Sequence, residues 1–134
     1  RFRNVTGVQT CALPIFNLYS AISTSEAQSM NAVKVVIDQR GDALYFSRLP
    51  IPGSMGVPTL PTGKQLGLIA FRTTALRTYT QLSPTPYEIS ESVDMLRFIE
   101  HGFKIRMQKT SFETIAVDTP DDLAAAERAM SGHR

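Results

Sequence analysis

A strand–turn–helix junction near the end of the chain constrains the fold more than any other stretch. Phe112 to Val117 is rich in apolar and β-branched residues, a composition that predicts a short strand. Thr119 can cap a helix, Pro120 suits its first position, and Leu123 to Met130 strongly favours helix. Asp118 is therefore expected in the tight turn where the strand passes into the helix.

This position makes Asp118 a candidate metal ligand. Ligands bind at the carboxyl ends of strands in open α/β sheets. Mg²⁺ takes oxygen donors and often keeps only one or two protein carboxylates, and Asp121 and Asp122 lie close by in sequence. The alternative interpretation is that Asp118 caps the helix and the other two acids complement its dipole. The spacing is compatible with both interpretations.

The first fifteen residues differ in origin from the rest. Val5 to Ile15 resembles the translation of a common sequencing-library adapter, so we assign residues 1–15 to a non-native segment and expect genuine coding sequence from near Phe16. Removing Arg1 and Arg3 reduces the 14 basic residues to 12, which equals the 12 acidic ones, and Cys11 leaves as well. The remaining sequence therefore favours neither nucleic-acid binding nor thiol or zinc–thiolate chemistry. It also lacks an apolar run long enough to span a membrane.

Strands and helices alternate along residues 16–134, which predicts a single α/β unit. A β-hairpin is predicted where Asn31 to Ile37 and Ala43 to Arg48 flank a turn that contains Gly41. Gln65 to Arg72 is almost continuously apolar, which is typical of a strand buried on both faces, and Gly67 would let a neighbouring group approach closely. A further strand is predicted over Phe103 to Met107.

One long helix is predicted between these last two strands. Thr85 and Glu88 form a capping-box pattern with Pro86 at the first helical position, and the helix should end at His101, before Gly102. Its expected buried stripe has spacings of four, three and three residues. The stripe consists of Ile89, Val93, Leu96 and Ile99.

Charged residues on these elements are candidate substrate ligands. Glu91 and Asp94 are neighbours on one face of the predicted helix and could bind sugar hydroxyls, whereas the alternative is a solvated acidic turn. Arg48 and Arg72 each end an apolar strand and could hold a carboxylate or phosphate, or could be ordinary strand-end charges.

Several blocks of the sequence together match the pattern of one family. The blocks are Asn31–Val36, Ala43–Arg48, Pro50–Pro52, Leu66–Leu68, Phe71–Arg72, Pro84–Glu88, Glu91–Arg97 and Val117–Leu123. With these blocks the sequence resembles the 3-deoxy-manno-octulosonate (Kdo) cytidylyltransferases. The blocks follow the family's order at near its spacings, and they cover only its C-terminal half, without its glycine-rich nucleotide loop and first metal-binding aspartate.

The resemblance implies the C-terminal half of a Rossmann-like, mixed-sheet nucleotidyltransferase with a β-hairpin. It implies transfer of CMP from CTP to a sugar acid with Mg²⁺, for lipopolysaccharide synthesis in the bacterial cytoplasm, by an enzyme that is a homodimer at full length. Asp118 would be a Mg²⁺ ligand and a catalytic residue. The expected substrate contacts are Arg48, Gln65, Arg72, Glu91 and Asp94. The chain alone is expected to be inactive.

The sequence departs from the family pattern in the expected sugar pocket. Gln65 replaces a histidine, Ile69 and Phe71 replace tyrosines, and Met95 replaces a glutamine. These changes are compatible with Kdo or with a modified sugar acid. Two further hypotheses stay open, namely half of a different nucleotidyltransferase and a non-catalytic dimerisation module.

Overall fold

The computed structural model describes residues 15–53, 62–112, 117 and 119–131. The strands of this part are β1 (Ile15–Ser20), β2 (Lys34–Ile37), β3 (Ala43–Ser47), β4 (Thr62–Phe71) and β5 (Arg106–Lys109). The helices are α1 (Thr24–Gln28), α2 (Thr73–Tyr79), α3 (Pro86–Glu91), α4 (Met95–Glu100) and α5 (Pro120–Ser131). This mixture confirms the predicted α/β class.

The five strands form one mixed sheet in the order β3-β2-β4-β1-β5. Only β1 and β5 pair in parallel, and the other neighbours are antiparallel. The predicted hairpin is confirmed as β2 and β3, with Val35 opposite Phe46 and Gly41 at a φ of 88° in the turn. The left-handed conformation explains the glycine, because other residues adopt it at a steric cost.

The two outer strands of the sheet meet at the hairpin turn. Asp42 forms an isolated antiparallel bridge with Arg106, at the start of β5. The Arg106 Nε donates to Asp42 Oδ1 at 2.7 Å, and Lys104 Nζ lies 3.7 Å from Asp42 Oδ2. The sheet is therefore curled, and its hairpin end is tied to the opposite outer strand.

The core is centred on α4 and an aromatic group around Phe98. The Phe98 side chain is fully buried and stacks on Tyr79 with ring centroids 4.9 Å apart. The rings of Phe71 and Phe103 lie 5.8 and 5.9 Å from it. This packing fixes α4 against β4 and α2, and α4 in turn contacts β3.

The prediction that β4 is buried on both faces is wrong. Leu68 is 60% exposed and Ala70 is also exposed, although Leu66 is buried. The close approach expected at Gly67 is absent, because a Cβ there would meet nothing within 4 Å. The close approach is at Gly63, where a Cβ would lie 2.2 Å from the Tyr19 ring. The predicted strand over Phe103–Met107 is shifted and begins at Arg106.

The single long helix predicted from Thr85 to His101 is also wrong, because it is two helices. It breaks at Ser92, which has a left-handed φ of 54° and caps α3. Val93 and Leu96 are buried as expected, but Ile89 is 70% exposed because the break turns α3 away from the stripe. The expected end of the helix is confirmed, with His101 as the C-cap of α4 and Gly102 at a φ of 82°.

The C-terminal junction is only partly within the described residues. Asp118 and residues 113–116 of the predicted strand lie outside them. The predicted start of α5 is confirmed, since the Asp122 N–H donates to Thr119 Oγ1 at 3.2 Å and the Thr119 N–H donates to Asp122 Oδ2 at 2.9 Å. No residue of α5 is buried.

Within the described ranges, the longest apolar stretches of helix fall short of what would be required to cross a bilayer.

Candidate substrate-binding site

The structure brings three of the predicted ligands together where the β2–β3 hairpin meets the α3–α4 break. Arg48 follows β3, Glu91 ends α3, and Asp94 precedes α4. The other two predicted contacts lie on the central strand, with Gln65 within β4 and Arg72 directly after it. Seven residues of extended chain span roughly 20 Å, so Gln65, in the first half of β4, lies far along the strand from Arg72.

The Arg48 guanidinium is directed at backbone carbonyls. Its Nε donates to the Glu91 carbonyl at 2.9 Å, and its two terminal nitrogens donate to the carbonyls of Ser92 and Met30 at 3.2 and 3.1 Å. One side chain therefore joins the end of β3, the loop before β2 and the end of α3. The sequence-based assignment of Arg48 as a direct substrate contact stays a prediction.

The Glu91 carboxylate binds the end of β3. The Ser47 hydroxyl donates to both carboxylate oxygens at 2.9 and 3.0 Å, and the Arg48 backbone N–H donates at 2.9 Å. The Tyr45 hydroxyl donates to Oε1 at 3.3 Å, and burial together with the Glu91 charge raises the Tyr45 pKa. Glu91 and Arg48 thus hold each other's backbones, and the Glu91 carboxylate faces the protein. Its direct contact with substrate stays a prediction.

Lys34 lies fully buried behind this pair. Its Nζ donates to the carbonyls of Ser29, Ala32 and Arg48, with the first two bonds 2.6 and 2.8 Å long. Burial lowers the Lys34 pKa, the Arg48 charge lowers it further, and the Glu91 charge raises it. A buried ammonium is tolerated when its donors are satisfied, and here all three donors have a carbonyl.

Asp94 is exposed beside this network. It is the N-cap of α4, and its side chain makes no capping hydrogen bond. Its neighbours Val93 and Met95 are both buried, so the backbone on each side of Asp94 is anchored in the core. Asp94 therefore presents a carboxylate to solvent from a fixed backbone, which suits a ligand contact.

The two glutamates of α3 face different surroundings. Glu88 is buried and accepts two hydrogen bonds from the Arg97 guanidinium, at 2.7 and 2.5 Å. The bonded Arg97 lowers the Glu88 pKa, and the Arg97 guanidinium also lies 4.4 Å from the centre of the Tyr79 ring. Glu100 Oε2 accepts from the Tyr87 and Glu88 N–H groups, which caps the start of α3.

A metal site is not completed by the described residues. In residues 15–53, 62–112, 117 and 119–131, no three acidic, histidine or cysteine side chains come together as a metal-binding group. Asp118, the predicted Mg²⁺ ligand, lies outside these ranges. The assignment of Asp118 to Mg²⁺ therefore stays a prediction.

Sequence reasoning missed Lys34, Ser47 and Arg97 as site-building residues. A lysine inside an apolar strand was the available signal for Lys34, since a charge is rarely buried there without partners. Arg97 follows Glu88 by nine residues, which places the two on opposite sides of one continuous helix, so the spacing gave no signal for their pair. Ser47 carried no comparable signal.

Comparisons with known proteins agree with this architecture. A family model described as Cytidylyltransferase matches residues 16–114. The 3-deoxy-manno-octulosonate cytidylyltransferase of Acaryochloris marina is 46% identical over 99 residues, which are 74% of this chain and 40% of that protein. The protein of the same description from Nitratidesulfovibrio vulgaris (strain DP4) is 44% identical over 113 residues, which are 81% of this chain and 45% of that protein.

A solved structure matches over almost the whole chain. It is the structure of CMP:2-keto-3-deoxy-manno-octonic acid synthetase complexed with CTP, with a TM-score of 0.86 and 36% identity. The match covers 97% of this chain and 54% of the solved one, so the chain spans about half the length of its relatives. On the match to residues 16–114, the chain belongs to the cytidylyltransferase family.

Proposed function

We propose that this chain is the C-terminal part of a cytidylyltransferase that activates Kdo or a modified Kdo. In the reaction the anomeric hydroxyl oxygen of the sugar acid forms a bond to the α-phosphorus of CTP. The bond from that phosphorus to the bridging oxygen breaks, pyrophosphate leaves, and the hydroxyl proton passes to solvent. The observation that carries the proposal is the structural match to a CTP-complexed synthetase over 97% of the chain at 36% identity.

The residues of this chain would contribute substrate contacts and one metal ligand. We assign Asp118 to Mg²⁺, because the strand–turn–helix position and the matched motif both favour it. Mg²⁺ would neutralise charge on the phosphates during transfer. Asp94 would contact the sugar acid from its exposed position, and Gln65 and Arg72 are the proposed contacts on and after β4.

The substrate proposal is sharpened by the packing of β4. Ile69 and Phe71 replace family tyrosines, and both pack against the core. Gln65 is half-buried on the same strand. A sugar acid whose tail carries changed polar groups would fit the altered pocket. A competition assay between Kdo and its 8-amino analogue tests this, and a clear preference for plain Kdo contradicts it.

We also propose that the 134-residue chain has no catalytic activity by itself and that the complete enzyme is a cytoplasmic homodimer. Relatives are about twice as long, and the exposed apolar residues on and beside the sheet include Phe16, Leu68 and Phe112. Such a surface favours association. We expect the purified chain to self-associate in light scattering and to show neither tight CTP binding nor turnover. A monodisperse monomer or a turning-over chain would contradict this.

The metal role is tested in a completed enzyme. In it, residues 1–15 are replaced by the N-terminal half of the Nitratidesulfovibrio vulgaris relative. We expect Asp118→Asn to lower pyrophosphate release by more than about 100-fold, the upper range for losing even an outer partner of a metal site. The control Asp121→Asn, in the first turn of α5, should stay close to the parent. Turnover of Asp118→Asn near the parent at saturating Mg²⁺ would contradict the metal role.

A further inference from the structure

We propose that Arg48 is a positioning residue that fixes Asp94 through the left-handed turn at Ser92. The proposal rests on the proposed function for the role of Asp94 toward the sugar acid. The hold of Arg48 on the turn stands on the geometry of the described chain alone. It assigns to Arg48 an indirect role in place of a direct substrate contact.

The contacts of Arg48 converge on the segment that leads to Asp94. Its Nε donates to the Glu91 carbonyl at 2.9 Å, and a terminal nitrogen donates to the Ser92 carbonyl at 3.2 Å. One guanidinium therefore binds the last carbonyl of α3 and the carbonyl of the break itself. The third bond, to the Met30 carbonyl at 3.1 Å, ties the guanidinium to the loop before β2. The guanidinium is therefore bonded to the loop before β2 on one side, and on the other side to the chain two residues before Asp94.

The Arg48 backbone is itself held in place. Its N–H donates to the Glu91 carboxylate at 2.9 Å, and its carbonyl accepts from the buried Lys34 ammonium. Arg48 and Glu91 thus bind each other twice, once through each side chain to the other's backbone. This reciprocal arrangement makes the end of β3 and the end of α3 a single rigid unit.

The turn that Arg48 grips needs external support. Ser92 has a φ of 54°, a left-handed conformation that side chains other than glycine adopt at a cost and that persists where surrounding structure imposes it. The Val93 N–H donates to the Glu88 carbonyl at 3.2 Å across the break, and the Leu96 N–H donates to the Val93 carbonyl at 3.1 Å at the start of α4, so both amides report on this turn. The two Arg48 bonds lie at the strained turn between α3 and α4.

The chemistry of arginine suits this role. A planar guanidinium offers five donors in a fixed fork, whereas a lysine ammonium is a single point charge. Three carbonyls on two segments require donors that diverge in one plane. With the turn fixed and Val93 and Met95 buried, the Asp94 carboxylate needs little ordering when a ligand arrives.

The first test uses the 134-residue chain and native-state amide hydrogen exchange. In Arg48→Met we expect exchange at Val93 and Leu96 to accelerate by about 10-fold or more, because the break can open locally. The α2 amides of Leu76 and Thr80 should change by less than about 2-fold. Arg77→Met, which removes an exposed arginine of α2, is the matched control and should leave Val93 and Leu96 unchanged.

Adding Ser92→Gly to Arg48→Met should restore slow exchange, since glycine adopts the left-handed conformation without steric cost. Equal acceleration throughout α2 and α4 would overturn the proposal, because it would show a general stability role. Unchanged exchange at Val93 and Leu96 would overturn it as well. A failure of Ser92→Gly to slow exchange would show that Arg48 does not act through this turn.

The second test uses the completed enzyme described above. Arg48→Met should raise KM for the sugar acid by about 10-fold and KM for CTP by less than about 2-fold. Adding Asp94→Asn to Arg48→Met should then cost much less than Asp94→Asn alone, because the two residues act in series. Additive effects would overturn the link between Arg48 and Asp94. If Asp94→Asn alone changes nothing, the proposed sugar contact is wrong, and the exchange experiment separately decides the hold of Arg48 on the turn.

Discussion

The hairpin–helix junction and the C-terminal helix α5 both contain a capping box, but only the junction is packed into the core. At the junction, Lys34, Arg48, Glu88, Glu91 and Arg97 bind one another or nearby backbone, and α4 buries Met95, Leu96 and Phe98. The helix α5 also begins with a capping box, between Thr119 and Asp122, yet none of its residues is buried. Local capping is therefore enough to start a helix, while packing is what places it.

This difference bears on the two acids assigned to the reaction. Asp94 is held by contacts that the described chain makes with itself. Asp118 is two residues before the first residue of α5, whose Leu123 and Met130 are 50% and 78% exposed. We infer that the sugar-acid side of the proposed site is preformed in this chain and that the metal side depends on further contacts.

The largest expected difference between the two regions is in apolar burial. Phe98→Ala should lower the free energy of unfolding by about 3–5 kcal/mol, because it empties a fully buried site that three other rings contact. Leu123→Ala in α5 should change it by less than about 0.5 kcal/mol. Urea unfolding of the two variants measures both values. Equal losses would show that α5 is packed as tightly as α4.

A smaller difference is expected for two glutamates. Glu88→Gln weakens the two-bond pair with Arg97 and should cost about 2 kcal/mol, less than the 3–5 of a fully buried pair because the Arg97 side chain keeps 16% of its exposure. Glu127→Gln, on the exposed helix α5, is the matched control and should cost less than about 0.5 kcal/mol. The comparison would fail if both variants unfolded at the same urea concentration as the parent.

The smallest effect is expected at α1, on the margin of the well-bonded region. Hydrogen bonds from Lys64 and then from Ser23 lower the Glu26 pKa from 4.5 to about 2. Because the folded-state pKa is the lower one, the stabilisation is complete above pH 4.5 and is lost as the pH falls toward 2. Glu26→Gln should therefore destabilise the chain at pH 7 by about 1 kcal/mol or less, since the carboxylate is 38% exposed.

The effect of the same variant should depend on pH. The difference in unfolding free energy between Glu26→Gln and the parent should fall to about half by pH 3. Thermal unfolding at pH 7, 5, 4 and 3 follows it. A gap that stays constant over this range would show that the carboxylate charge does not stabilise α1.

Locally encoded features could be predicted from the sequence. The hairpin, the positive φ of Gly41, the cap of α5 at Thr119 and the end of α4 at His101 all follow from the preferences of a few adjacent residues. The blocks shared with the family pointed to the correct α/β class and to the correct family. Of the site residues, the sequence marked Arg48, Glu91 and Asp94 as candidate substrate ligands, and the structure shows that they lie close together.

Features decided by distant contacts could not be predicted. Glu91 to Asp94 contains no glycine or proline, and its apolar spacing is that of one continuous helix, so nothing local marks the break at Ser92. The break is supported by Arg48, more than 40 residues earlier in the chain. The same reason explains why the contacts of the Glu91 carboxylate could not be predicted, since its partners Tyr45 and Ser47 are on the hairpin.

The interpretation of β4 failed for a related reason. An apolar run indicates that a strand can be buried, but it does not indicate which residues on each face are covered by neighbouring elements. The described helices leave Leu68 and Ala70 exposed, while Leu66 and Ile69 lie toward the core. Hydrophobicity alone could not distinguish these positions.

The bridge between Asp42 and Arg106 has a consequence for the sheet's exposed rims. The Ala43 N–H donates to the Ile105 carbonyl at 2.9 Å, and the Met107 N–H donates to the Gly41 carbonyl at 2.8 Å, between residues 62 and 66 apart in the sequence. At this corner the outer strands use their free backbone groups on each other, so a foreign strand could add there only by breaking those bonds. Opening the bridge would free the first residues of both outer strands at once, so the hairpin turn protects this corner of the sheet against strand addition.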